Sequence, residues 1–151
     1  MIKNLDILFF SCYNFRGTRR KTFDNKVMFT KNQRHKIRYS WKHRKAFLKL
    51  EKELLGKNTL RGFFHDVDKI ILYHFFPSEF VHTCHQWWSK HHERRGKTHD
   101  DFVQMTIDWE CARFTKHDKP LDAYDTLYKF YPHLEDKILP ILKELNLTHE
   151  I

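Results

Sequence analysis

The run Phe63-Phe64-His65-Asp66-Val67-Asp68-Lys69 constrains this chain more than any other stretch, because it sets four hydrophilic residues inside an apolar, helix-patterned segment. Phe63, Phe64, Val67, Ile70 and Ile71 recur at helical spacing and are expected to face the interior, yet His65, Asp66, Asp68 and Lys69 share the same two turns. Charged groups beside a core must be paired or must hold a metal. The rest of the chain therefore has to supply whatever satisfies His65 and Asp66.

Four Gly and four Pro in 151 residues, with little alternation of Val, Ile and Thr, point to helices rather than sheet. The expected fold is one all-α domain, a helical bundle. A long first helix is expected over residues 32 to about 55, where Phe47, Leu50 and Leu54 step by three and four and Gly56 follows as a stop. Ser40 and His43 extend that stripe backwards, so His43 should face inward.

A second helix is expected over residues 60 to 75, ending before Pro77. Ser78 is the expected N-cap of a third, which would carry Val81, Cys84, His85, Trp88 and His92 on one face as far as Gly96. The fourth begins at Thr98 or His99, with Asp100 and Asp101 in a first turn that favours acids. Its stripe is Phe102, Met105, Trp109 and Ala112, with Asp108 at the edge. Two shorter segments, 121 to 130 and 133 to 145, complete the bundle, and Pro140 is expected to kink or break the second. The four tryptophans, Trp41, Trp87, Trp88 and Trp109, lie in helical stripes and are expected in the core or the cleft wall rather than as stacking platforms.

The net charge of +9 is unevenly placed. Residues 1–45 hold 13 Lys/Arg against two Asp/Glu, and residues 46–151 hold 15 against 17. Residues 1–31 are expected to form an irregular basic arm before a helical domain over 32–151. Such basicity is either plain solvated surface, or attraction for a nucleic acid, or steering of a phosphorylated substrate. No apolar run approaches the roughly 18 residues of a membrane span, so no membrane partner is expected. Leu5-Asp6-Ile7-Leu8-Phe9-Phe10 is short and contains an acid, and does not read as a signal peptide. Cys12, Cys84 and Cys111 are an odd number without a Cys-x-x-Cys pair, so neither a disulfide framework nor a thiolate zinc site is indicated. A cytoplasmic setting is expected.

Twelve histidines are present, six of them within residues 74–99. Imidazole and carboxylate ligate Zn, Mn, Fe, Co and Ni, and bundle sites are built from inward residues on facing helices. The candidates fall on four successive helices: His43, then His65 and Asp66, then His85 with His91 and His92, then Asp108. Neighbours on a helix point about 100° apart, so His65 and Asp66 converge only on something at the margin of the stripe. His43, His65, Asp66 and Asp108 would give an N2O2 set with open positions for water and substrate. His35, His74, His82, His99, His117, His133 and His149 are read as ordinary hydrogen-bonded or surface groups.

These residues carry a resemblance. The order His43, His65-Asp66, Asp108 is similar to the His…His-Asp…Asp signature of the HD-domain metal-dependent phosphohydrolase superfamily. The fragments His-Asp-x-[Ser/Asp]-Lys (His65 to Lys69), His-x5-His-His (His85, His91, His92), Met-x-x-Asp-Trp (Met105 to Trp109) and Lys119-Pro120-Leu121-x-Ala123-Tyr124 look more closely like a small HD-like family of bacteria and their viruses. The resemblance covers roughly residues 35–145 and implies an HD-like helical bundle with those ligands inside.

It also implies metal-assisted hydrolysis of a phosphoester of a nucleotide or related phosphorylated small molecule, through hydroxide on one or two divalent ions (Mn, Fe, Co, Ni or Zn, or Mg). A metal lowers the pKa of its bound water from about 15.7 to about 7. Many HD enzymes carry a glutamate where this chain has Lys69. Asp68 is then the candidate replacement carboxylate beside Asp66, and Lys69 a candidate phosphate binder. Further substrate contacts are expected from His85, Arg94 and Arg95. Asp66 would bridge two ions where His85 and His91 or His92 complete a second site. Two other functions stay open: a nuclease or nucleic-acid binder using residues 16–45, and a metal-holding HD-like interaction protein without catalysis.

Overall fold

The computed structural model describes residues 30–116 and 120–149, and these are all helix, turn and loop. The arm expected over residues 1–31 lies, but for its last two residues, outside them. Helix α1, Lys31–Leu55, opens with a reciprocal cap. The Thr30 hydroxyl accepts from the Gln33 N–H at 3.1 Å, and the Gln33 side chain accepts from the Thr30 N–H at 2.9 Å. Gly56 closes the helix in the left-handed region, φ 73°, where a side chain would be strained. The inward face of α1 is Ser40, His43, Phe47, Leu50 and Glu51, so the expected stripe and the inward His43 are present.

The expected second helix is two. Helix α2, Leu60–Phe63, and helix α3, Val67–Leu72, are separated by a break at Phe64-His65-Asp66. Asp66 has φ 58°, a left-handed backbone that Asp tolerates better than most residues. Burial is inverted relative to the apolar pattern. Phe63, Phe64 and Ile71 are more than half exposed, while His65 and Asp66 are each 3 % exposed. The break rotates the two polar side chains inward together, which a continuous helix would not allow.

Helix α4, Ser78–Trp88, begins at Ser78 itself, with Pro77 in the cap position. It stops well before Gly96, so His91 and His92 lie in the following loop rather than on a helical face. Ser89 turns extended, φ −75° and ψ 127°, and the chain folds back through bonds from the Arg95 and Gly96 N–H groups to the His92 carbonyl. Gly96 lets this loop sit close to the next helix, where a Cβ would come within 3.2 Å of Met105 Cε.

Helix α5, His99–Thr115, is the centre of the molecule. It is buried round most of its circumference and packs on α1 and on the two C-terminal helices. Thr98 and Asp101 cap it reciprocally. Helix α6, Ala123–Phe130, is capped by Asp122 and leads through a 3-10 turn at Pro132–Leu134 into α7, Glu135–Glu144. Helix α7 is not broken at Pro140. The apolar core joins Phe47 and Leu50 to Phe102, Ile107, Cys111, Leu127, Ile138, Ile141 and Leu142. Of the tryptophans only Trp109 is buried, stacked on Tyr131, whereas Trp41, Trp87 and Trp88 are about half exposed. No described helix is long and apolar enough to cross a membrane.

Candidate metal centre

Helix α1 presents His43, the α2–α3 break presents His65 and Asp66, α4 presents His85, the loop after it presents His91 and His92, and α5 presents Asp108. Six of the seven expected ligands meet in two groups of three, and the seventh, Asp66, reaches members of both. The ligand atoms of His43, His65 and Asp108 lie within 4.8 Å of one another, as do those of His85, His91 and His92. His43 Nε2 is 2.7 Å and His65 Nε2 3.2 Å from the same oxygen, Asp108 Oδ1. In the second group His85 Nε2 and His91 Nε2 are 3.1 Å apart.

Asp66 stands between the groups. Its Oδ2 accepts from Lys69 Nζ at 2.8 Å and is 3.9 Å from His43 Nε2. Its Oδ1 is 3.2 Å from His85 Nε2 and 3.8 Å from both His65 Nε2 and His91 Nε2. That oxygen is buried and has no hydrogen-bond partner, and the same holds for His92 Nε2. Buried polar atoms in native proteins are almost always satisfied, so each of these two atoms keeps a lone pair or a proton to share with a further group.

The surrounding residues fix the ligands. Asp68 accepts from His85 Nδ1 at 2.7 Å and from the Trp88 indole N–H at 2.8 Å, which turns His85 Nε2 towards Asp66 and His91. Asp68, the expected catalytic carboxylate, thus bonds a candidate ligand and also lines the cleft beside Asp66. His43 Nδ1 is 3.3 Å from the Thr115 hydroxyl and 3.6 Å from Cys111 Sγ, and His65 lies stacked on Phe47 with ring centres 3.9 Å apart. The sequence marks Phe47 only as one position of the apolar stripe of α1, and gives Thr115 and Cys111 no pattern of their own.

Electrostatics separates the two groups. Burial lowers the pKa of His91 to about 2 and of His92 to about 4, so both rings are neutral and available as ligands near pH 7. Burial also opposes charge on His43, but the bond to Asp108 outweighs it and raises the imidazole well above its ordinary value. A proton on His43 here occupies the place between imidazole and carboxylate that a cation would take. Burial works against ionisation of Asp66 and Asp108 too. For Asp66 the positive charges of His65 and Lys69 overcome it, for Asp108 the bonds from His43 and His65, and both carboxyls fall below the usual range. Lys69 is likewise held charged against burial by Asp66 and Asp108.

The centre opens into a cleft of about 180 Å³, whose lining includes Arg61, Phe64, His65, Asp66, Lys90 and His91. Arg94 and Arg95 are exposed and are not among the lining residues. Arg94 lies over the Trp87 ring, 5.5 Å from its centre. The cations at the mouth are Arg61 and Lys90, and Arg61 is braced by Asp101 at 2.5 Å. Of the histidines assigned no role, His74 bonds the Ile70 carbonyl, and His99, His133 and His149 pair with Glu144, Glu93 and Asp122. His117 lies outside the described residues. Comparison with family models, curated proteins and solved structures gives no match for this chain.

Proposed function

We propose that this protein is an HD-type metal-dependent phosphohydrolase that binds one or two divalent transition-metal ions and hydrolyses a phosphoester of a nucleotide or related phosphorylated compound. The observation that carries the reading is Asp66 Oδ1, a buried and unpartnered carboxylate oxygen within 3.8 Å of His65, His85 and His91. The donor set fits the group. His43, His65 and Asp108 would hold one ion, His85, His91 and His92 a second, and Asp66 would serve both.

When bound, such ions lower the pKa of water towards neutrality and polarise a phosphoryl oxygen. The chain's own residues do the rest. Asp68 orients His85, and Thr115 orients His43, so the ligands need little rearrangement on binding. Lys69 balances the negative charge of Asp66 from the side away from Oδ1 and is a direct ion-pair partner, which makes it a positioning group first. Arg61 and Lys90 at the mouth attract a phosphate and draw its oxygens towards the centre.

The test is elemental analysis joined to turnover. The purified protein should carry a transition metal, His65→Ala and Asp66→Ala should lose it, and metal-dependent release from bis(p-nitrophenyl) phosphate should vanish in Asp66→Ala. A protein without metal, whose variants take up added Mn or Zn as well as the unaltered chain does, would overturn the reading.

A further inference from the structure

We infer that the phosphoester belongs to a single-stranded polynucleotide, which lies on a ladder of exposed rings and cations leading from the outer face of α1 to the metal cleft. The inference rests on the phosphohydrolase reading for its chemistry, and on three observations outside the ligand set.

The first is size. Pockets that enclose a whole small ligand run from roughly 300 to 1,000 Å³. This cleft, at about 180 Å³, admits a phosphoryl group and part of a sugar and leaves a base outside. Whatever is attached to the phosphate must therefore lie on the surface around the mouth.

The second is the surface it would meet. Phe64 lines the mouth and is 64 % exposed. It meets Phe63 edge-on, with ring centres 5.5 Å apart. The Arg44 guanidinium lies 5.0 Å from the Phe63 ring centre and 5.7 Å from that of Trp41, and it bonds the Phe63 carbonyl. Rings and cation thus form one continuous track, and Trp41 at its far end is 46 % exposed. Three rings with one half-buried guanidinium between two of them suit unpaired bases joined by phosphates, and suit an apolar peptide poorly.

The third is charge. Residues 31–50 of α1 contain eight Lys/Arg and no carboxylate. Arg34, Arg38, Trp41 and Lys45 recur at intervals of four, three and four, so they share one face, and all four are exposed. The cation ridge and the ring track meet at Trp41. A duplex keeps its bases stacked on each other and offers them to no ring, so the partner is single-stranded.

The reaction balances without a further reagent. The oxygen of water bonds to phosphorus, the bond from phosphorus to the leaving sugar oxygen breaks, and the proton lost by water ends on that oxygen.

The experiment uses the full chain with fluorescein-labelled DNA and RNA strands of roughly 12 nucleotides, a length within single-strand site sizes. Anisotropy is read at low salt with chelator present, so that binding is seen without cleavage. Binding of either strand supports the proposal. Trp41→Ala and Phe64→Ala, both at exposed positions, should each weaken it by roughly 5- to 100-fold. No binding at low salt, equal binding of a duplex of the same length, or full binding by the Trp41→Ala/Phe64→Ala double variant would overturn it. Turnover of bis(p-nitrophenyl) phosphate without strand binding sinks this inference alone. Ring-dependent strand binding by a protein that takes up no metal removes the hydrolase reading alone and leaves the strand site standing.

Discussion

Asp68 shows how a residue's neighbours decide its work. Its carboxylate is shared between the His85 ring and the Trp88 indole, and it also lies within 4.8 Å of ligand atoms of Asp66 and His85. Asp68→Asn keeps the shape of that contact but weakens it and frees the His85 tautomer. Metal affinity, measured by competition with a chelating dye, should fall by about 10- to 100-fold while the stoichiometry stays the same. A loss of turnover with unchanged affinity would instead make Asp68 a catalytic group. Asp101 is a second case. Burial raises its carboxyl, but bonds from the Thr98 and Lys97 N–H groups and from Arg61 bring it down to about 2. An aspartate depressed in the folded state contributes stability above its unfolded pKa of about 3.9, and that contribution is lost as pH falls through the folded value. Between about pH 4 and pH 2 the protein should lose on the order of 1–2 kcal/mol from this group. Asp101→Asn should flatten that part of the stability curve, as read by urea unfolding at each pH.

At the scale of elements, the short α2 is pinned to α1 by a buried polar knot. Glu51 accepts from the Thr59 N–H at 3.1 Å, from the Thr59 hydroxyl at 2.6 Å and from the Gln104 amide at 2.7 Å. Gly62 passes so close that a Cβ there would collide with the Glu51 carboxylate. Gly62→Ala should therefore cost about 1–3 kcal/mol in thermal or denaturant unfolding, since it displaces a buried and fully bonded charge. The knot matters because α2 delivers the chain to the His65-Asp66 break. Periodicity made α1 and α5 legible in the sequence, as long amphipathic or buried segments with clear caps. It could not show the break, because Phe63, Phe64, Val67 and Ile70 keep a helical rhythm while the backbone reverses hand at Asp66. The end of α4 was hidden for a similar reason: Trp88 and His92 fit its stripe by spacing, and only the turn at Ser89 carries His91 and His92 back to His85.

Across the whole molecule, the candidate ligand types and their order were readable in advance as residues that the fold brings together, because few residue types bind metals and they recur along the chain. Their supports were not, since Thr115, Cys111 and Phe47 are ordinary core residues until the fold sets them against His43 and His65. The centre gathers side chains from residue 43 to residue 108, so an ion held there would fasten α1, the break, α4 and α5 together. Removing metal with EDTA should lower Tm by roughly 10 °C relative to metal-saturated protein, following mass action for a Kd about 1,000-fold below the free metal concentration. An unchanged Tm would mean that the ligand network stands without the ion. The left-handed backbone of Asp66 carries a last consequence. On the proposed metal reading, position 66 is restricted twice over, by chemistry to a carboxylate and by chain geometry to the small set of side chains at ease with positive φ. Glutamate keeps the charge but not that ease, and asparagine keeps the ease but not the charge, so drift at this site has no conservative exit.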